Sequence, residues 1–340
     1  MQNFTNLLAA IQRDLWQIDT HNEVSDLSSV PQVTVEAALR LGVKCYRYKN
    51  SSLIVLEKNN KNVFLVRDGF STTSSLSVSI ARNKFLTHEI LRSLGVRTPK
   101  SDVVSSENDL FLKIKNFTLS RVVLKPNESS RGFLVKMGTK TPQELVRHFK
   151  KIKQMRDEAI LEEKVQGENY RVLIINNKVI SVIFQKKPSV AGDGQKTVLE
   201  LVKNLNKKRK ASGRILPQAI RVNQDLKEAL AEQGFNMGDV PLKNKILILS
   251  KTSNMSRGSE PHDMTGRIHP ETKKVLGEIT RHFNLDIVGV DIISKDITSS
   301  IKKTGVILEI NARPGFYSHV YPISGPSATV GDEVIKYLFG

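Results

Sequence analysis

At 340 residues the chain is long enough to bury a sizeable core in two or three lobes. Hydrophobic residues at 39% and charged residues at 25% mark a globular composition, and no apolar run approaches the roughly 18 residues a membrane helix needs, so a membrane partner is not expected. Fifty-two Lys and Arg against 34 Asp and Glu leave a net charge of +18, which attracts anions of any kind: nucleic acid, nucleotide phosphates or acidic peptides. Aromatic residues, at 6%, are sparse for base stacking, which places nucleic acid low among the partners. Cys45 is the single cysteine and excludes an internal disulfide framework or a cysteine-based zinc site. The N-terminus lacks a basic segment followed by a long apolar one, so a cytoplasmic location is the default.

In chain order, MQNFTNLLAAIQRDLWQ reads as an amphipathic helix. A helix-like VEAALRLGV and the strand-like runs CYRY, SLIVLE and NVFLV then suggest a small mixed N-terminal lobe, residues 1–80. STTSSLSVS (71–79) reads as a link into the helix ARNKFLTHEILRSLGV, which has Lys84 in its first turn and ends at Gly95 with Pro99 beyond. The strand RVVLKPN (121–127), the loop ESSRG, the strand FLVKM, a helix opening at Thr141-Pro142 and the strand AILEEKV (159–165) follow. The runs NYRVLII and KVISVIF flank Asn176-Asn177 as a hairpin. Residues 195–245 turn helical and basic, as an insertion would. The helix ETKKVLGEITRHF and the strands LDIVGVDII (285–293) and GVILEIN close the chain. The expected class is α+β, with central helices and a lobe of strands and covering helices over 81–163, for which the resemblance given below implies a lid, and a C-terminal unit over 164–340 that carries the basic insertion near 195–250.

Glu309 and Asn311 sit two apart in a strand, hence on one face, just before the turn at Pro314-Gly315. If LDIVGVDII pairs antiparallel with GVILEIN, Asp291 joins them as a third hard oxygen donor, a set suited to Mg²⁺; a capped strand end is the alternative. Two lysines offer themselves to phosphate. Lys125 ends an apolar strand before Pro126, and Lys84 opens a helix where unpaired N–H groups already favour anions. ESSRG could fold over phosphates with Arg131, although it matches neither a P-loop nor a dinucleotide fingerprint.

Taken in order, VVLKPN, ESSRG, LEEKVQGENYRVLII, VGVDII and LEINARPGF resemble the successive motifs of the ATP-grasp superfamily of carboxylate-amine ligases. Within it, KKPSVAGDGQKTVLELVKNLN and NMSRGSEPHDMTGRIHPET are similar to the ATP-grasp module of the cyanophycin synthetases, with that of the bifunctional glutathione synthetases close behind. The resemblance implies two α+β lobes clasping ATP and a small mixed N-terminal lobe. It implies that Lys84, Lys125 and Arg131 hold phosphates, that Glu162 with the backbone of Glu163 and Val165 contacts adenine, and that Asp291, Glu309 and Asn311 hold two Mg²⁺ ions, for which Mn²⁺ can substitute.

The reaction implied is phosphoryl transfer to a carboxylate, then attack by an amine on the acyl phosphate, forming a peptide or isopeptide bond on an amino acid or short peptide. Arg171 matches a substrate-side arginine; the loop Asn254 to Gly258 and the backbone near Gly315 are expected to border the acceptor site, with Arg257 placed to stabilise an oxyanion, and Arg313 is the third catalytic candidate. Lys187, or its neighbour Lys186, is a further phosphate contact. The superfamily's ribose-binding acid falls at Asn169, beside Glu168, and the lid loop is poorer in glycine than the pattern. His269 and His319 are expected to be structural. No counterpart of the long extra ligase domain of cyanophycin synthetase is read, so one ligation is expected; a homo-oligomer is left open. The competing readings are a kinase of the same fold and a non-catalytic nucleic-acid-binding protein.

Overall fold

A computed structural model describes residues 5–129, 132–139 and 141–340, and these build three antiparallel sheets of four or five strands with one two-stranded ribbon. The N-terminal sheet is a meander of Leu15–Gln17, Lys44–Tyr48, Leu53–Lys58, Lys61–Val66 and Gly69–Phe70. Asn59 and Asn60, both with φ near 50–60°, form the two-residue turn that lets Lys58 face Lys61. Apolar Ile54, Leu56 and Leu65 reach the core from this sheet, together with Val30, Val33 and Ala37 of the helix Ser29–Arg40. The last helix, Val330–Phe339, lies against Ser29–Arg40, and Gly331 marks the closest approach: a methyl group there would sit 2.5 Å from the Val33 carbonyl oxygen.

The large sheet runs Glu260–Asp263, Lys178–Lys186, Glu168–Ile175, Ile287–Ser294, Gly305–Asn311. Its central strands are nearly continuous Val, Ile and Leu because both faces are covered. Leu173 and Ile175 point into the core shared with the N-terminal lobe. Tyr170, Val172 and Ile174 alternate with them and meet Leu276 and Ile279 of the helix Pro270–His282 and Leu91 of the helix Lys84–Ser93. Gly305–Asn311 is an edge strand, and the edge is covered: buried His88 bonds the Leu308 carbonyl through Nε2 (2.9 Å), and the Ile307 N–H donates to the Arg97 carbonyl (2.9 Å).

The four-stranded sheet, Ser101–Val104, Ala159–Glu163, Val122–Pro126, Lys136–Met137, packs the helices Glu107–Ile114 and Pro142–Lys153 around a core of its own, with Leu124, Leu145, Phe149 and Leu161 at its centre. The chain crosses from this sheet to the large one over residues 164–167. Gly167 makes the crossing possible: at φ +150 it lies so close to Ile293 and Ser294 that a Cβ would approach them to 2.9 Å. The insertion packs Val198 and Val202 of the helix Val198–Ala211 against Leu226 and Leu230 of Gln224–Ala231 and against Leu247 of the ribbon. Buried Arg209 ties it to the large sheet, bonding Glu260 at 3.0 Å and the Gln218 carbonyl at 2.5 Å.

Three elements differ from the sequence reading. The N-terminal helix stops at Ile11, because Leu15–Gln17 instead pairs with Lys44–Tyr48 and Trp16 Nε1 donates to the Lys49 carbonyl at 3.1 Å. The Ser/Thr-rich link contains the helix Ser75–Arg82, capped by Ser74, and Asn83 separates it from Lys84–Ser93 while capping the latter. FLVKM shrinks to the strand Lys136–Met137, since Gly132 and Leu134 both have positive φ and turn the chain before pairing begins.

Helix propensity alone would make Gly331→Ala stabilising by about 1 kcal/mol. The contact with the Val33 carbonyl reverses the sign: the substitution is expected to cost about 1–3 kcal/mol in urea unfolding, and a gain in stability would contradict this helix packing.

Candidate nucleotide and metal site

Strand pairing assembles the acidic end of the site. Asp291 is the cross-strand partner of Arg171 on one side and of Glu309 on the other, so three charged side chains stand in one row across the sheet. Arg171 binds Asp291 through both Nε and Nη2, the latter at 2.9 Å. Asn311 lies two residues beyond Glu309, and its Nδ2 donates to Glu309 Oε1 (3.0 Å) and Asp291 Oδ2 (3.2 Å). Gly289, between two valines of VGVD, leaves the space: a Cβ there would sit 3.0 Å from Pro314 and 3.2 Å from Arg171 Nη1. The Asp291 side chain keeps only 16% of its surface exposed.

Two carboxyl groups this close and this desolvated do not both ionise readily. Burial pushes Asp291 above the usual carboxylate range, against the pull of Arg171, and the neighbouring Glu309 adds to the push. Burial acts on Glu309 in the same direction, but its hydrogen bond with Asp291 and the charges of Lys84, Lys125 and Arg171 outweigh that and hold it below its ordinary value. The opposite directions of the two shifts put the last proton the pair gives up on Asp291 rather than on Glu309. A hard divalent cation fits here. It would replace the shared proton, the Asn311 amide has an oxygen at its other end, and water or phosphate would complete the shell. Among the described residues no group of three or more His, Cys, Asp or Glu is spaced for a metal; the oxygens gathered here are those of two carboxylates and one amide.

Two cations face this acidic end. Lys84, the first residue of its helix, is 6% exposed; burial lowers its pKa, while Glu309 raises it. Its Nζ donates to the Ser129 carbonyl at 2.8 Å, which ties the helix to the loop after the strand Val122–Pro126. Asn127 reinforces that tie, its Oδ1 accepting from the Phe85 N–H at 3.0 Å. Lys125 is buried and forms an ion pair with Glu162 Oε2 at 2.7 Å, leaving Glu162 Oε1 buried with no hydrogen-bond partner among the described residues. Lys84, Lys125 and Glu309 are thus close enough for their charges to act on one another, and Asp291 joins them through Glu309.

The remaining sequence candidates are distributed around this centre. Glu162 is committed to Lys125, and Glu163 pairs with Arg121 at 3.1 Å. Val165, half-buried, lies in the crossing to the large sheet. Asn169 is the second residue of the strand Glu168–Ile175, and its Nδ2 donates to Ser253 Oγ at 3.1 Å. Lys186 is exposed at a strand end and Lys187 half-buried just beyond it. Arg257 pairs with Asp225 at 2.5 Å. Arg313 is exposed and lies across Gly69 of the N-terminal sheet, where a Cβ would meet its Nε at 2.9 Å. Arg131 lies outside the described residues.

His269 caps the helix Pro270–His282, its Nδ1 accepting from the Glu271 N–H at 3.2 Å. His319 is fully buried against Ser181 (2.8 Å), and burial drops its pKa to about 3, so it stays neutral. Asp225, Ser253, Asn127 and Gly289 were not singled out in the sequence. Only Gly289 carried a signal, as a lone glycine inside a β-branched strand.

Residues 81–195 match the model of the RimK-like ATP-grasp domain. Cyanophycin synthetase of Nostoc sp. is 28% identical over 331 residues, covering 96% of this chain and 36% of that protein. Cyanophycin synthetase of Synechocystis sp. is 30% identical over 275 residues, covering 79% of this chain and 31% of that one. The bifunctional glutathione biosynthesis protein GshAB of Clostridium perfringens is 24% identical over 321 residues, or 92% of this chain and 41% of that one. The chain thus spans about a third of the cyanophycin synthetases it matches. A bifunctional glutathione synthetase from Pasteurella multocida superposes with a TM-score of 0.65 at 23% identity, covering 92% of this chain and 43% of that one. The chain carries a RimK-like ATP-grasp domain, is homologous to cyanophycin synthetase and bifunctional glutathione synthetase, and has the α+β ATP-grasp fold.

The shared proton makes a measurable prediction. Because Asp291 is raised, a cation must displace a proton near neutral pH, so apparent Mg²⁺ affinity should strengthen as pH rises through the neutral range. Titration calorimetry in two buffers of unlike ionisation enthalpy should give different heats for the unsubstituted chain and equal heats for Asp291→Asn. Equal heats for both would contradict the shared proton.

Proposed function

We propose that this chain is an ATP- and Mg²⁺-dependent ligase that joins a carboxylate to an amine through an acyl phosphate, forming a peptide or isopeptide bond on amino acids or a short peptide. The observation that carries this reading is the acidic row of Asp291 and Glu309 with Asn311, opposed by Lys84 and Lys125, within a chain that carries an ATP-grasp domain. The names of the homologous proteins support the ligation class, and the cytoplasm is the compartment in which ATP would be supplied.

ATP would supply the phosphoryl group, and the Mg²⁺ ions held by Asp291, Glu309 and Asn311, two by the resemblance, would screen its charge. Lys84 and Lys125 would bind the phosphate oxygens. Both are positioned for this by regular structure, one on a helix N-terminus and one on a strand, and both are screened from bulk water, where a charge interaction is strongest. Anion binding would also compete with Glu162 for Lys125.

Glu163 and Val165 lie where the chain crosses between sheets, so their backbone would line the adenine edge, and Asn169 would meet the ribose with its amide held by Ser253. Lys187 would add a phosphate contact. Arg171 would orient the substrate carboxylate by its fork once Asp291 is shared with a metal, while Arg257 and Arg313 would border the acceptor.

A matrix of free amino acids and dipeptides, scored for ADP release and product mass, tests the reading. ADP release that needs both an acid and an amine, with an amide product, is expected. A stable phosphorylated product formed without amine would make the chain a kinase instead. Glu309→Ala should fold normally by circular dichroism and lose activity by at least about 100-fold, the loss expected when a charge-stabilising group is removed. Near-normal turnover by that variant would remove the metal assignment.

A further inference from the structure

The loop at residues 250–258 is where the insertion, the lid and the large sheet meet. Ser253 accepts from Asn169 of the large sheet at 3.1 Å. Asn254 approaches the lid loop, its Nδ2 lying 3.4 Å from where a Cβ of Gly132 would stand. Asn254 also caps the turn Met255–Arg257, Oδ1 accepting from the Ser256 N–H at 3.0 Å. Gly258, at φ +83, presses into the insertion so closely that a Cβ would meet Ile220 at 2.4 Å and Arg209 Nη1 at 2.7 Å.

Asp225, in the first turn of the insertion helix Gln224–Ala231, holds both ends of this loop. Its Oδ1 pairs with Arg257 Nη1 at 2.5 Å, and its Oδ2 accepts from Ser250 Oγ at 3.0 Å. Ser250 is 1% exposed and receives the Thr252 N–H at 3.3 Å, so the anchor reaches into the loop backbone. An acid in a first turn can merely serve its own helix, but this helix is already capped by Asn223, whose Oδ1 accepts from the Leu226 N–H at 3.1 Å. Both Asp225 oxygens are used on the loop. Arg257 has five N–H donors and meets Asp225 through Nη1, and among the described residues no other acceptor is paired with it, which leaves donors for an oxyanion.

We propose that Asp225 is a positioning residue: through Arg257 and Ser250 it sets the loop at residues 250–258 from the insertion, and so governs how the acceptor amine binds. The proposal rests on the ligase reading for its acceptor, but the latch itself is a property of this chain alone. The insertion then acts as a specificity element rather than a passive outgrowth, since the group that orients an acceptor-side arginine belongs to it.

Asp225→Asn keeps the shape and the hydrogen bond to Ser250 while removing the charge that holds Arg257. Amide hydrogen exchange should accelerate at least tenfold at residues 253–258 in this variant, with the insertion core around Val202 and Leu230 unchanged; an unchanged loop would overturn the latch. With whichever acid and amine support ADP release, Asp225→Asn should raise the amine KM about tenfold and leave the ATP KM within about twofold. An equal rise in both would assign Asp225 a general structural role and overturn the proposal. Adding Asp225→Asn to Arg257→Ala should cost no more than about twofold beyond Arg257→Ala alone, because the two act as one unit; a fully multiplicative loss would overturn it. Absence of ADP release from the unsubstituted chain would sink the ligase reading alone, because the exchange measurement still decides whether Asp225 holds the loop.

Discussion

The antiparallel pairing of Ile287–Ser294 with Gly305–Asn311 is the constraint on which the site depends, because its register makes Asp291 and Glu309 direct neighbours. Two carboxylates in that position repel one another and lose hydration, an arrangement that persists only when the surroundings compensate. Arg171 supplies charge from the next strand, Asn311 supplies two N–H bonds, and one proton is retained between the acids. A divalent cation in place of that proton would relieve the repulsion, which is the physical ground of the proposed metal role.

Rigid packing maintains that register. The two strands have apolar neighbours on both faces, and the edge is closed by His88 and by the backbone of Arg97. The loop after Asn311 is pinned in turn by the N-terminal lobe, where Ser29 Oγ accepts from the Phe316 N–H at 3.1 Å and Phe316 is fully buried. The small N-terminal lobe therefore buttresses the turn at Pro314-Gly315 as well as enlarging the core.

Much of this was legible because it is written in local pattern. Two apolar runs on either side of the Asn176-Asn177 turn marked the central hairpin, and the two-residue spacing of Glu309 and Asn311 marked one face of a strand. The pairing with Asp291 followed from one strand pair and a polar connection. What escaped was nonlocal. Leu15–Gln17 looks helical until its partner strand is known, and Ser75–Arg82 has a composition that reads as a linker until Ser74 caps it. The ion pair of Glu162 with Lys125 was equally hidden, since only the register of Val123 with Glu162 brings the two side chains together. Asp225 and Arg257 are 32 positions apart in a segment without strong periodicity, so no local signal joins them.

The two halves of the charge arrangement belong to different bodies. Lys125 and Glu162 ride on adjacent strands of the four-stranded sheet, which has its own core, whereas Asp291, Glu309 and Arg171 belong to the large sheet. Lys84 stands between them, its helix packed on the large sheet and its ammonium bonded to the Ser129 carbonyl beside the lid loop. A polyphosphate with its cation would be attracted to both halves at once, positive end to negative. Residues 164–167 are the covalent link between the two sheets, and Gly167, at φ +150 against Ile293 and Ser294, fixes the path by which the chain carries one half of the charge arrangement up to the other.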